Sequence, residues 1–280
     1  MRASVIASVI PASIAASAIA CILSVSREAQ CAPEFVDRGI TLPRHDWAFD
    51  FGLGIAHGPW IGPPFRNDAT GAGLNAEMAV AVISHLELGF RTGIRFGDEA
   101  KAVSADEYGR LYDRQTFATG GDLFANPEAR VRGALIHGDV VELALEGRVV
   151  LPFEQGTHVG LLFGMPLMFH IGHRVRLDTG IYTPVVFTDP AYTRFNAPID
   201  VWIQCTPRLW LGPMSGISIF NPTGSGGRPN GRVDVSLGFG LGYQILRTLD
   251  FKTMFLIPRI NEDNGIHSYG AGAGIQVRIE

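Results

Sequence analysis

Charged residues and long apolar runs are both scarce in this chain of 280 residues. Only 18% of the residues are Asp, Glu, Lys or Arg, and the formal net charge is −4. No cluster of Lys and Arg is interleaved with aromatic residues, so nothing favours a nucleic-acid partner. Beyond the N-terminus there is no apolar run long enough for a membrane helix and no sustained helical periodicity. These absences exclude an α-helical membrane protein and an α/β enzyme.

Cysteine is also scarce, with three in the whole sequence. Cys21 and Cys31 lie in or beside an N-terminal segment rich in Ala, Ser and Ile that follows a single positive charge. This pattern is typical of an export signal, and we predict that residues 1–31 are a cleaved signal peptide. A lipoprotein site at Cys21 and a retained membrane anchor are the alternatives. The mature chain would keep only Cys205, which can form no internal disulfide.

Glycine, by contrast, is abundant, and much of it alternates with apolar residues. In the stretch RVDVSLGFGLGYQILRTLDF, residues 232–251, large apolar residues occupy one parity and mostly small or polar residues occupy the other. Comparable alternation returns in 46–55, 86–96, 141–151 and 267–280. A period of two predicts strands with one face in an apolar medium.

The length of these strands distinguishes between two possible media. Soluble sandwiches use strands of about five or six residues, whereas an outer-membrane strand needs about nine to eleven. Most of the alternating segments reach the longer length. We therefore predict an all-β fold, a transmembrane antiparallel up-and-down β-barrel of about 12 strands over residues 46–280. Residues 32–45 would be a short periplasmic N-terminal segment before it.

The connections between the predicted strands alternate in length, as they do in bacterial outer-membrane barrels. The strands are predicted near 46–57, 72–83, 86–97, 127–136, 140–152, 157–171, 174–188, 197–205, 208–220, 231–246, 248–260 and 266–280. An outer loop is predicted at 59–71, and a longer one at 98–126 that is either solvated or folded inward to narrow the lumen. Both termini would lie on the periplasmic side.

With this architecture the chain resembles the small porin-like group of Gram-negative outer-membrane β-barrel proteins, over about residues 46–280. The C-terminal strand, Tyr269 to Ile279, is similar to the alternating signal by which such barrels are recognised for assembly. The chain departs from the family in finishing on Ile279-Glu280, where members commonly finish on an aromatic residue. The resemblance implies localisation in the cell outer membrane. It also implies outer-membrane lipid, small polar solutes and the outer-membrane assembly machinery as partners.

The inward parity carries charges of both signs, which suit an aqueous lumen or paired ladders better than a dry core. The predicted pore-lining residues are Glu87, Arg91, Arg95, Arg130, Arg132, Glu142, Glu146, Arg148, Arg174, Arg176, Asp178, Asp234, Gly240 and Gly272. The favoured hypothesis is a narrow porin-like channel for passive diffusion of small polar solutes. In the alternative, the charges pair and large side chains fill the centre, which leaves a structural or surface-interaction barrel acting through its extracellular loops. Those large side chains are Leu162, Met168, Trp202, Trp210 and Met214.

Glycines on the inward parity predict an asymmetric lumen. They recur in the strands near 46–57, 231–246 and 266–280, and Gly240 and Gly272 are among them. Because glycine has no side chain, one wall should be nearly bare, which predicts an off-centre water path or a recess into which the long loop packs.

No catalytic, metal or cofactor site is predicted, and we expect a protein that is not an enzyme. A lipid-acting esterase using His267 and Ser268 is a minor alternative, but adjacent strand residues point to opposite faces. His170 and His173 flank a tight turn and are predicted to be solvated rather than metal-bound.

Overall fold

The computed structural model describes residues 33–62, 65–96, 124–153, 159–187, 192–221, 232–261 and 268–279. The predicted signal peptide 1–31 and most of the predicted loop 98–126 lie outside these ranges. The described chain is a closed antiparallel barrel of twelve strands, in which sequence neighbours pair and β1 pairs with β12. No helix among the described residues has the length and apolar character needed to cross a membrane.

Strands that follow one another in the sequence are neighbours in the barrel, without crossovers. They are β1 (Trp47–Gly62), β2 (Phe65–Ile83), β3 (Leu86–Phe96), β4 (Phe124–His137), β5 (Val141–Val150), β6 (Gly160–Ile171), β7 (Val175–Val186), β8 (Tyr192–Gln204), β9 (Leu209–Asn221), β10 (Arg232–Leu246), β11 (Leu249–Ile257) and β12 (Tyr269–Ile279). The prediction of about twelve strands in a closed barrel is confirmed.

The main differences from the predicted boundaries are at β1, β2 and β8. The prediction of an outer loop at 59–71 is wrong, because β1 and β2 remain paired up to Gly62 and Phe65. β8 likewise begins at Tyr192 rather than at residue 197. In both places the backbone ladder continues beyond the residues whose alternation is visible, since a paired neighbour satisfies the main-chain groups whatever the side chains are.

The two faces of the barrel have opposite character. Large apolar side chains lie on the outside, with Phe51, Leu53 and Leu237 each about half exposed. Charged side chains on the opposite parity are buried inside, as with Glu142 and Glu146 on β5. A water-soluble barrel would need the reverse arrangement, so the outer face is built for an apolar solvent.

Short turns join the strands at one end of the barrel. Residues 84–85, 138–140, 172–174, 205–208 and 247–248 make these connections. Gly172 has a φ of 62°, a left-handed conformation that glycine adopts without strain. In outer-membrane barrels the short turns face the periplasm, and we call this the short-turn end.

Candidate functional site: the barrel lumen

Residues 33–42, which we call the plug, lie inside the barrel at the short-turn end. The backbone N–H of Leu42 donates to Glu87 on β3, and Arg38 pairs with Asp250 on β11. Contacts with strands so far apart around the barrel are possible only from within the lumen. The plug belongs to the segment 32–45 that we predicted as a short periplasmic stretch, and it contains a single 3-10 turn at Phe35–Asp37.

Phe35 is the apolar anchor of the plug and is only 1% exposed. Its ring stacks on Trp210, with centroids 4.5 Å apart and planes 5° from parallel, and meets Trp202 edge-on at 5.6 Å. Arg176, on β7, places its guanidinium 3.9 Å from the centroid of the Phe35 ring, which is a cation–π contact. Arg176 Nη1 also donates to the Phe35 carbonyl oxygen at 2.7 Å. One side chain thus joins the plug to three strands.

Polar groups of the wall satisfy the plug backbone. The N–H of Val36 donates to Gln204 at 3.4 Å, and the N–H of Ile40 donates to Glu142 at 3.0 Å. The Arg38 guanidinium meets Asp250 with both Nη atoms, at 2.5 and 3.2 Å. Burial lowers the pKa of Arg38 to about 10, opposed by the attraction of Asp250, so the side chain stays charged at neutral pH.

His170, at the end of β6, connects the plug to Glu142. Its Nδ1 lies 2.7 Å from the Val36 carbonyl oxygen, and its Nε2 lies 2.9 Å from Glu142 Oε1. The other carboxylate oxygen of Glu142 accepts from the Ile40 N–H and lies 2.9 Å from His137 Nδ1. The plug is therefore held by a chain of hydrogen bonds that passes through two titratable side chains.

Charged side chains of β2 to β5 form a continuous row, which we call the charge ladder. Its eight members alternate in sign in the order Arg91, Glu77, Arg130, Glu87, Arg132, Glu146, Arg148, Glu128. The nitrogen–oxygen distances between successive members are 2.9, 3.2, 2.6, 3.9, 2.7, 2.7 and 3.5 Å. The four Arg and four Glu are all buried, and their charges cancel. Such compensation lets many ions share a water-poor wall.

The opposite wall carries a buried apolar cluster. Trp202, Trp210, Met214 and Met254, on β8 to β11, form one buried cluster with Phe35 and Val36 of the plug. The inward glycines of β10 make space for the indoles: a Cβ on Gly240 would lie 2.5 Å from the Trp202 ring, and one on Gly242 would overlap Trp210. At β10, therefore, the predicted bare wall is covered by tryptophan.

A recess remains beside β1, β2, β11 and β12. It is lined by charged groups of both signs, Asp50, Lys252, Glu77 and Arg91, and by glycines that include Gly272. Lys252 Nζ lies 3.7 Å from Asp50 Oδ1. Around this recess a Cβ on Gly52 would meet the Ala273 carbonyl oxygen at 3.8 Å, whereas a Cβ on Gly274 would lie 2.7 Å from the Phe51 carbonyl oxygen, so only part of this wall is open.

Most predicted pore-lining residues lie on the inner face. Buried inner-face members are Glu87, Arg91, Arg130, Arg132, Glu142, Glu146, Arg148, Arg176, Asp178 and Asp234. Arg174 instead lies in the β6–β7 turn and is exposed, and the side chain of Arg95 is outside the described part. His173 is exposed in the same turn, whereas His170 is mostly buried against the plug. Of the esterase pair, Ser268 is buried and His267 lies outside the described residues.

The plug and Asp250 were missed by the sequence interpretation. Residues 33–42 contain the scattered apolar positions Phe35, Val36, Ile40 and Leu42, without a period that would indicate a buried element. Glu77 could have been found, because it follows the inward parity of its strand.

Similar solved structures are outer-membrane barrels. The NanC porin superposes with a TM-score of 0.56 at 6% sequence identity, over 82% of this chain and all of that one. An outer-membrane channel from Pseudomonas putida F1 superposes with a TM-score of 0.58 at 9% identity, over 87% of this chain and 99% of that one. No protein-family model and no curated protein sequence matches the chain. At these identities the likeness concerns the fold. The chain has the fold of the outer-membrane β-barrel proteins.

Proposed function

We propose that this protein is an outer-membrane channel for passive diffusion of small polar solutes, and that the plug closes its short-turn end in the conformation described. The recess beside β1 and β12 carries the proposal. Charged groups of both signs surround it, and glycines rather than bulky side chains form part of its wall. This is the lining expected of a narrow aqueous path.

The plug supports a closed channel rather than a solid barrel. It belongs to no strand, and ion pairs, hydrogen bonds and ring contacts hold it. Because none of these is covalent, the segment can leave the lumen while the closed sheet stays intact. Both solved barrels above are named as a porin or a channel, which agrees with the proposal at the level of fold.

A permanently filled barrel is the second candidate. The paired charge ladder and the buried Trp202, Trp210 and Met214 favour it, because together they fill much of the inner wall. In that case the outer loops would carry the function and the plug would be part of the core.

Single-channel recording in planar bilayers distinguishes the two candidates. The mature chain is compared with a variant lacking residues 33–42, which should conduct more often or with larger current. In that deletion background, Gly272→Phe should reduce the current because it fills the recess, whereas Ala271→Phe, on the outward parity of the same strand and outside the lining of the recess, should not. A deletion variant that inserts but carries no current would overturn the channel proposal.

The proposal includes outer-membrane lipid around the apolar outer face and the outer-membrane assembly machinery acting on β12 during insertion. It includes no catalytic activity and no cofactor.

A further inference from the structure

The hydrogen bonds at His170 require one more proton than a neutral imidazole beside a carboxylate can provide. Nδ1 faces the Val36 carbonyl oxygen, which can only accept, and Nε2 faces a Glu142 oxygen. A neutral imidazole has one N–H, so the second contact needs a proton on either the imidazole or the carboxyl group. If that proton is lost, a nitrogen lone pair faces an oxygen lone pair at one of the two positions.

Charged and titratable groups face His170 from neighbouring strands and from the plug. Glu142 faces His170 from β5. In the register between β6 and β7, His170 lies opposite Arg176, which is paired with Asp178. Asp37 of the plug lies 3.9 Å from the exposed His173.

His137, on β4, meets the second oxygen of Glu142, the same oxygen that accepts the Ile40 N–H. Glu142 therefore contacts the plug twice, through His170 to Val36 and directly to Ile40, on both sides of Arg38 in the sequence.

We propose that His170 and Glu142 form a proton-dependent latch for the plug. This inference rests on the proposed channel function. With the proton present, both plug contacts are made and the lumen stays closed; as pH rises and the proton is lost, the Val36 contact becomes unfavourable and the plug is released. The plugged state binds the proton more tightly because only that state supplies the Val36 carbonyl, and by linkage the proton stabilises the plugged state.

The test is the open probability in planar bilayers as a function of pH between about 5 and 9, which spans the range of about pH 5–8 in which histidine ordinarily titrates. A gate linked to one proton changes its equilibrium by at most about tenfold per pH unit, and we expect the open probability to rise with pH within that limit. His170→Gln keeps a donor for Val36 but cannot titrate, so its open probability should be independent of pH.

His57→Gln is the matched control. His57 lies on β1 away from the plug, with its ring against Tyr269, and the substitution should leave the wild-type pH dependence unchanged. The variant lacking residues 33–42 should stay open at every pH. If that deletion prevents insertion, Phe35→Ala, which weakens the plug without shortening the chain, replaces it.

The outcomes separate the latch from the channel. Wild-type pH dependence that persists in His170→Gln overturns the latch, as does a wild-type response that is flat while the deletion variant conducts. Failure of the inserted deletion variant to conduct at any pH overturns the channel function itself.

Discussion

Phe35→Ala should release the plug and leave the barrel intact. The side chain is 1% exposed and contacts two indoles and a guanidinium, yet it belongs to no strand. Truncating a buried Phe to Ala costs about 3–5 kcal/mol in a core that cannot collapse. Because the released plug can be solvated, we take the lower end of this range, about 3 kcal/mol of lost docking free energy. That corresponds to a factor of roughly 150 in the docking equilibrium.

Hydrogen exchange measures this directly, because the N–H groups of Val36, Ile40 and Leu42 are protected only by side chains of the wall. Exchange of the peptide covering residues 33–42 should accelerate by about two orders of magnitude, while exchange of the strands stays unchanged. Single-channel open probability should rise in the same variant.

Phe153→Ala is the control for the loss of an aromatic side chain. Phe153 is 75% exposed and follows β5, at the end opposite the short turns. It should not alter exchange in the plug. The reasoning is refuted if Phe35→Ala leaves plug exchange at the wild-type rate, or if the strands lose protection together with the plug.

Three further predictions concern the barrel wall. Leu53→Arg, which puts a charge on the half-exposed outer face, should cost about 2–4 kcal/mol of folding free energy in liposomes. The adjacent inward Gly52→Arg, whose Cβ would meet the Ala273 carbonyl oxygen at an ordinary 3.8 Å, should not, and equal losses would contradict the assignment of faces. Glu87→Gln removes a charge from the middle of the charge ladder and should destabilise the barrel by about 3–5 kcal/mol in denaturant titrations, with little dependence of that cost on salt. A cost below about 1 kcal/mol would show that the ladder is solvated. Gly242→Ala should cost about 1–3 kcal/mol and accelerate exchange in the plug, because the added methyl group displaces Trp210; a neutral result would mean that the indole is free to move.

The strands could be predicted because their pattern is local. Each membrane strand contacts lipid along one whole face, so the alternation of Leu237, Phe239 and Leu241 with glycines shows the outer face without knowledge of the neighbours. Where a strand extends past its alternating part, as in β1 near Gly62, only pairing with the next strand shows it.

The lumen was predicted in character but not in detail. Parity alone places Glu87, Arg130 and Arg132 inside the barrel, and all three are there. Parity does not reveal that Arg130 joins Glu77 to Glu87, since that depends on the register between β2, β3 and β4. Gly240 shows the same limit, because the indole that covers it comes from β8.

By itself, the sequence determined how many strands the barrel has and which face of each meets lipid, because a period of two is a property of a single strand and its solvent. Only the tertiary structure decided which charges pair along the inner wall. Only the tertiary structure also decided that residues 33–42 lie inside the barrel. The physical reason is that the binding surface for the plug does not exist until the sheet closes. Phe35 needs Trp202, Trp210 and Arg176 from three strands, and Arg38 needs Asp250 from a fourth.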